Sequence, residues 1–132
     1  MYLIGDIGNS EIKICLVTSK KTIIKRINFS SNDISRTNVK KYFKSSYKYF
    51  SKIEKILFCS VVPSSFNLIK KFLKTKTKVK CYEVKELNLT SLIKIKVNYN
   101  QVGSDRVTNA ISLIDNKKNF IIVDLGTATT FD

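Results

Sequence analysis

Two segments far apart in this chain share one arrangement: Leu3-Ile4-Gly5-Asp6-Ile7-Gly8-Asn9-Ser10 and Ile122-Val123-Asp124-Leu125-Gly126-Thr127-Ala128-Thr129-Thr130. In each, an apolar run leads into an Asp, an apolar residue, a Gly and small amide or hydroxyl side chains. An Asp at the end of a buried strand can hold Mg²⁺ or its waters, and a Gly turn lets backbone N–H groups approach phosphate closely. One Asp-x-Gly is an ordinary turn sequence. Two of them, each behind an apolar strand, favour phosphate chemistry.

Lys13 follows the first segment closely enough to reach a phosphate from the next strand, although in a lysine-rich chain a single Lys is commonly just solvated. Val102-Gly103-Ser104-Asp105-Arg106 offers a second kind of chemistry. Gly103 opens the backbone, Ser104 is a candidate helix cap, and Asp105 would lie in the first turn, where the helix dipole favours the ionised carboxylate that a general base needs. Arg106 could bind an anionic substrate or neutralise a transferring phosphoryl group. The chain has no His, which excludes a His triad or a His metal site. Neither a Walker loop nor a Gly-x-Gly-x-x-Gly loop occurs.

Positioning these residues requires strands and helices in a definite order. Tyr2 to Ile7 reads as a strand, Gly8-Asn9-Ser10 as a turn, and the alternation of Ile12, Ile14 and Leu16 with polar neighbours as a second, half-buried strand. Residues 22–29, rich in β-branched side chains, complete an antiparallel meander. Ser30-Ser31-Asn32-Asp33 then offers N-caps for a helix to about Phe50 that carries Ile34, Val39, Tyr42, Phe43 and Tyr47. Residues 55–62 resemble a buried parallel strand limited by Pro63, with Ser64-Ser65 capping a helix that carries Phe66, Ile69, Phe72 and Leu73. Residues 79–84 read as a strand and 87–97 as an extended or loop region. A helix from about Ser104 carries Val107, Ala110, Ile111 and Ile114, and 120–123 reads as a final buried strand. Strands followed by alternating helices and strands predict an α/β domain with a mixed sheet.

Composition agrees with one globular domain: 132 residues, 43% apolar and 11% aromatic, are enough for a hydrophobic core. No apolar run spans a bilayer, so a cytoplasmic protein is expected. Cys15, Cys59 and Cys81 are scattered among apolar neighbours and read as reduced core thiols. The net charge of +14 raises nucleic acid as a partner, but the excess is almost wholly Lys, with Arg26, Arg36 and Arg106 the only arginines. Forked Arg contacts dominate dedicated nucleic-acid surfaces, so nucleic acid is not the expected partner.

Taken in order, Asp6-Ile7-Gly8-Asn9-Ser10, Ser60-Val61-Val62-Pro63, Gly103-Ser104-Asp105-Arg106 and Asp124-Leu125-Gly126-Thr127-Ala128-Thr129-Thr130-Phe131-Asp132 resemble the type III pantothenate kinases over the whole chain. The resemblance implies the sugar-kinase and actin-like ATPase superfamily, two RNase H-like domains with ATP and Mg²⁺ between them, and phosphorylation of pantothenate at the opening of coenzyme A synthesis. It implies that Asp6, Ile7, Gly8, Asn9, Ser10, Glu11, Ile12 and Lys13 form the first phosphate-binding hairpin, with Thr127 a second phosphate contact. Gly103, Ser104, Asp105 and Arg106 would hold pantothenate, with Asp105 the base. Asp124 matches a site for a monovalent cation, K⁺ or NH₄⁺, and the family's homodimer is expected by the same route. Residues 1–118 would be the first domain and 119–132 the start of a truncated second one. The pattern departs at Lys96 and Tyr99, where the family commonly has Tyr and Pro. A related branch resembles accessory transcription factors, which leaves a non-catalytic, regulatory or nucleic-acid-binding role as the alternative.

Overall fold

The computed structural model describes residues 1–115, 118–126 and 128–131. Its centre is a five-stranded mixed sheet in the order β3-β2-β1-β4-β5, made of β1 (Tyr2–Ile7), β2 (Glu11–Val17), β3 (Ile23–Ser30), β4 (Lys55–Ser60) and β5 (Cys81–Glu83). The first three form the expected antiparallel meander, and β4 and β5 add in parallel. The parallel additions need crossovers, which α1 (Val39–Phe43) and α2 (Pro63–Lys76) help to provide.

Strand alternation divides the sheet into two working faces. Leu3, Ile7, Ile12, Ile14, Leu16, Ile56 and Phe58 point to one face, where Val39, Phe43, Phe66, Ile69 and Leu73 of the two helices close the main core. Gly5 lies on this same face, opposite Phe58 in register. A Cβ there would sit 2.3 Å from the Phe58 ring, so glycine is required for the ring to lie flat against β1. The intervening residues Ile4, Asp6, Leu57 and Cys59 therefore point to the other face. There α3 (Ser104–Ser112) packs Val107 with Cys59, Val84 and Leu89 in a second, smaller core.

Three local expectations are corrected. The helix to Phe50 is broken into a 3₁₀ turn (Ser31–Asp33), α1, and a 3₁₀ helix (Lys44–Lys52). The cause is side chains that compete for backbone groups: Asn38 Oδ1 accepts from the Ser35 N–H at 2.7 Å, and Asn38 Nδ2 donates to the Asp33 carbonyl. The apolar residues still reach the core, with Phe43 wholly buried and Tyr42 stacked on Phe29 at 3.9 Å. Secondly, α2 starts at Pro63 itself, with Val62 at the N-cap, so Ser64 and Ser65 lie inside its first turn. Proline suits that position because its missing N–H would have had no helical partner. Thirdly, the predicted buried strand at 120–123 is replaced by β6 (Val123–Leu125), which pairs only with β7 (Thr129–Phe131). Val123 is 51% and Leu125 79% exposed, because among the described residues the five-stranded sheet does not extend to this hairpin. Among the described residues, no helix is long and apolar enough to cross a membrane.

Candidate active site

The face of the sheet opposite the main core carries a cleft of about 440 Å³, bounded by β1, β2, β4, α3 and β6. Asp6, Lys13, Asp105 and Asp124 all line it. Each arrives for a local reason. Asp6 alternates with core-facing Gly5 and Ile7. Lys13 pairs with Asp6 across the hairpin and alternates with buried Ile12 and Ile14. Asp105 is on the first turn of α3, and Asp124 is the middle residue of β6.

The turn that joins Asp6 to Lys13 is closed by Gly8 N–H donating to Glu11 O at 3.0 Å. Ser31 secures it from outside: its hydroxyl donates to Gly8 O at 2.6 Å and its N–H to Ser10 O at 3.0 Å. Asn9, Ser10 and Glu11 are exposed on this turn, whereas Ile7 and Ile12 are fully buried in the main core, leaving only their backbone for any ligand contact. Glu11 lies 3.5 Å from the Lys13 ammonium, an exposed pair of small energetic weight.

The expectation that Ser104 caps α3 is corrected. Gly103 is the N-cap, Ser104 is the first helical residue, and it is nearly buried. Asp105 does the work of a cap from within the turn, its Oδ1 accepting the Arg106 N–H at 2.8 Å. That folded-back carboxylate occupies the space a side chain at position 103 would need, since a Cβ on Gly103 would sit 2.3 Å from Asp105 Oδ1. The glycine is thus part of how Asp105 is aimed.

The four-residue motif does not converge on one pocket. Asp105 faces the acidic cleft, Gly103 and Ser104 line an adjoining recess with Glu83 and Lys85, and Arg106 donates to the Phe131 carbonyl of β7 at 2.9 Å. Thr127 lies outside the described residues. One turn beyond Asp105, Asn109 Nδ2 donates to Asp124 Oδ2 at 3.2 Å and ties α3 to β6. Sequence reasoning missed Asn109, although its four-residue spacing from Asp105 puts both on one helix face. It also missed Ser31, for which no local signal exists.

Asp6 opens onto the cleft, yet desolvation by the surrounding protein raises its carboxyl above the ordinary value; Lys13 opposes this, while Asp105, Asp124 and Glu11 add to it. Cys59, buried at the base of the cleft, has its thiol pushed up to about 12, chiefly by burial, with a hydrogen bond to Thr108 acting the other way. Burial of this kind keeps the thiol neutral and suits a packing role. Among the described residues, no three Asp, Glu, Cys or His side chains are gathered closely enough to cage a metal. Carboxylate oxygens around an open cleft instead suit a hard cation that keeps most of its ligands from water and phosphate.

A meander continued by parallel strands and helices is a mixed α/β architecture compatible with the actin-like ATPase fold. The family model for type III pantothenate kinase matches residues 2–132, and the chain belongs to that family. It is 56% identical over 132 residues to the type III pantothenate kinase of Pelagibacter ubique (strain HTCC1062), covering 100% of this chain and 53% of that protein. It is 31% identical over 140 residues to that of Citrifermentans bemidjiense, covering 100% of this chain and 54% of the relative. A type III pantothenate kinase 1 of Francisella tularensis is 29% identical over 145 residues, again with 100% and 54% covered. The chain thus spans about half the length of the curated relatives it matches.

Proposed function

We propose that this chain supplies the first domain and the opening hairpin of the second in an ATP-dependent pantothenate kinase. Residues 1–118 form the former and 119–132 the latter. The carrying observation is the convergence of Asp6, Lys13, Asp105 and Asp124 on one cleft from positions spread over the whole chain. Phosphoryl transfer requires mainly positioning and charge neutralisation, and this cleft offers both.

In this reading the turn at Gly8, Asn9 and Ser10 meets the ATP phosphates through its exposed residues Asn9 and Ser10, the Gly8 N–H being held by Glu11 O, and Lys13 adds positive charge beside them. Asp105 accepts the proton of the pantothenate hydroxyl as that oxygen attacks the γ-phosphate, giving phosphopantothenate and ADP. Its acceptor role is supported by the position on α3: the helix N-terminus favours the ionised carboxylate, and the Arg106 N–H orients it. Gly103, Ser104 and Arg106 border the place where pantothenate would lie, and Thr127 would face the nucleotide from the second domain. Asp6 would hold Mg²⁺ through water, and Asp124, steadied by Asn109, a monovalent cation. These ions supply neutralisation of phosphate charge. A cytoplasmic homodimer is the assembly that accompanies this reading.

The test is a coupled assay of ADP release on the complete product of the reading frame that contains this chain. Pantothenate-dependent turnover is expected, with Asp105→Asn lowering kcat by about 10²–10⁴-fold, the usual worth of a general base. No pantothenate-dependent turnover would overturn the kinase reading, and equal rates in the two proteins would overturn the role of Asp105.

A further inference from the structure

The recess beside Gly103 and Ser104 holds a Lys whose role no motif announces. Lys85 stands on the 3₁₀ turn Val84–Glu86, and its ammonium donates to two backbone carbonyls of a distant loop, Tyr99 O and Val102 O, each at 2.8 Å. The same ammonium lies 4.7 Å from the centroid of the Tyr99 ring. The loop residues it holds form the 3₁₀ turn Tyr99–Gln101 and the step into Gly103, the N-cap of α3. Tyr99 O also accepts the Val102 N–H at 3.3 Å, and a cation is a natural further partner for carbonyls at the end of a short helical turn.

The support behind Lys85 is itself rigid. Glu83 and Glu86 form a reciprocal capping box on its turn, with Glu83 Oε2 accepting the Lys85 N–H at 2.8 Å and Glu86 Oε2 accepting the Glu83 N–H at 3.2 Å. Glu86 is paired with Lys70 of α2 at 2.9 Å, and Val84 is buried against the second core that holds Val107 of α3. A continuous set of contacts therefore runs from α2 through Lys85 to Val102, the residue before Gly103 and three positions before Asp105.

We propose that Lys85 is a positioning residue: it fastens the loop that leads into α3 and so sets where Asp105 meets its substrate. The proposal rests on the kinase reading for its consequence but not for its geometry. A lysine is suited to the task because three donors on one nitrogen can serve two carbonyls that face it from different directions, and a methionine of similar length can serve neither.

Two measurements test it. In amide hydrogen exchange on the complete product of the reading frame that contains this chain, Lys85→Met should speed exchange at Gln101 and Val102, whose N–H groups bond to Asn98 O and Tyr99 O, by about tenfold, as expected for losing charge-assisted bonds. Exchange at Ile14 and Leu16 in β2 should be unchanged, and Lys85→Arg should restore most of the protection. Unchanged loop exchange, or equal acceleration in β2, would overturn the proposal. In the coupled assay on the complete product, Lys85→Met should lower kcat about tenfold while the KM for ATP stays within about twofold, because a displaced base impairs chemistry and not nucleotide binding. Wild-type turnover with an unimpaired Lys85→Met variant would overturn the positioning role and leave the kinase reading intact. A loop loosened as expected in a complete protein that shows no pantothenate turnover would overturn the kinase reading and leave the positioning contact standing.

Discussion

Replacing Gly5 with Ala tests the contact on which both faces of the sheet depend. The new Cβ would lie 2.3 Å from Phe58 Cε1 and 2.5 Å from Cδ1. Carbon atoms in contact ordinarily sit about 3.5–4.0 Å apart, so one side must move by roughly 1.2 Å. Phe58 has little freedom to give way, being fully buried with its centroid 6.0 Å from that of Phe66. Overpacking of this kind costs about 1–3 kcal/mol. Against it stands the reduced freedom of the unfolded chain on changing Gly to Ala, worth about 0.5–1 kcal/mol. A net loss of up to about 2.5 kcal/mol is expected. The assay is urea unfolding followed by far-ultraviolet circular dichroism, with the m-value checked for constancy. Phe58→Val removes the ring atoms that clash, so the double variant should be more stable than the sum of the single losses by at least about 1 kcal/mol. Strict additivity, or Gly5→Ala at least as stable as the parent chain, would refute the argument that packing against Phe58 requires glycine.

Lys21 has a φ of 64°, in the left-handed region, in the turn between β2 and β3. Lys21→Gly should therefore stabilise the chain by about 0.5–1 kcal/mol in the same unfolding assay, the relief of the Cβ strain exceeding the added entropy of the unfolded state. The thiols of Cys59 and Cys81 are each pushed up to about 12, mainly by burial. A thiol reagent at pH 8 should accordingly label them only on unfolding. Because the folded state holds these thiols neutral, their contribution is fully present below the ordinary thiol pKa of 9.0 and is lost as pH rises from there toward 12, so the urea midpoint should fall between pH 8.5 and 10.5 by more than it does in a Cys59→Ala, Cys81→Ala double variant.

Much of this molecule was legible because it rests on periodicity and short-range chemistry. The apolar runs at 2–7 and 55–62 and the alternation of Ile12, Ile14 and Leu16 mark three of the strands, and the structure then puts Leu3, Ile7, Ile12 and Ile14 in one core with Asp6 on the opposite face. The turn at Gly8-Asn9-Ser10 and the helix carrying Asp105 were also open to local reading, since their residues bond mainly to near neighbours. The ordered motifs marked the family, which the match over residues 2–132 then established.

Other features depended on partners far along the chain. The aromatic residues of 34–50 reach the core as a helix would bring them, but Ser35 and Asn38 divert the backbone, a competition that apolar spacing does not record. Ser31 pins the turn at Gly8-Asn9-Ser10 from 23 residues away, and Lys85 grasps carbonyls 14 and 17 residues further on. One lysine among so many carries no local mark of such a role. The apolar run at 120–123 reads as a buried strand, yet burial is a property of what lies opposite, and among the described residues the five-stranded sheet does not reach it. Residue types and their alternation determined the strands, the core face and the chemistry on offer. Only the tertiary structure decided which acids share a cleft, because it alone brings Asp6, Asp105 and Asp124 to one place.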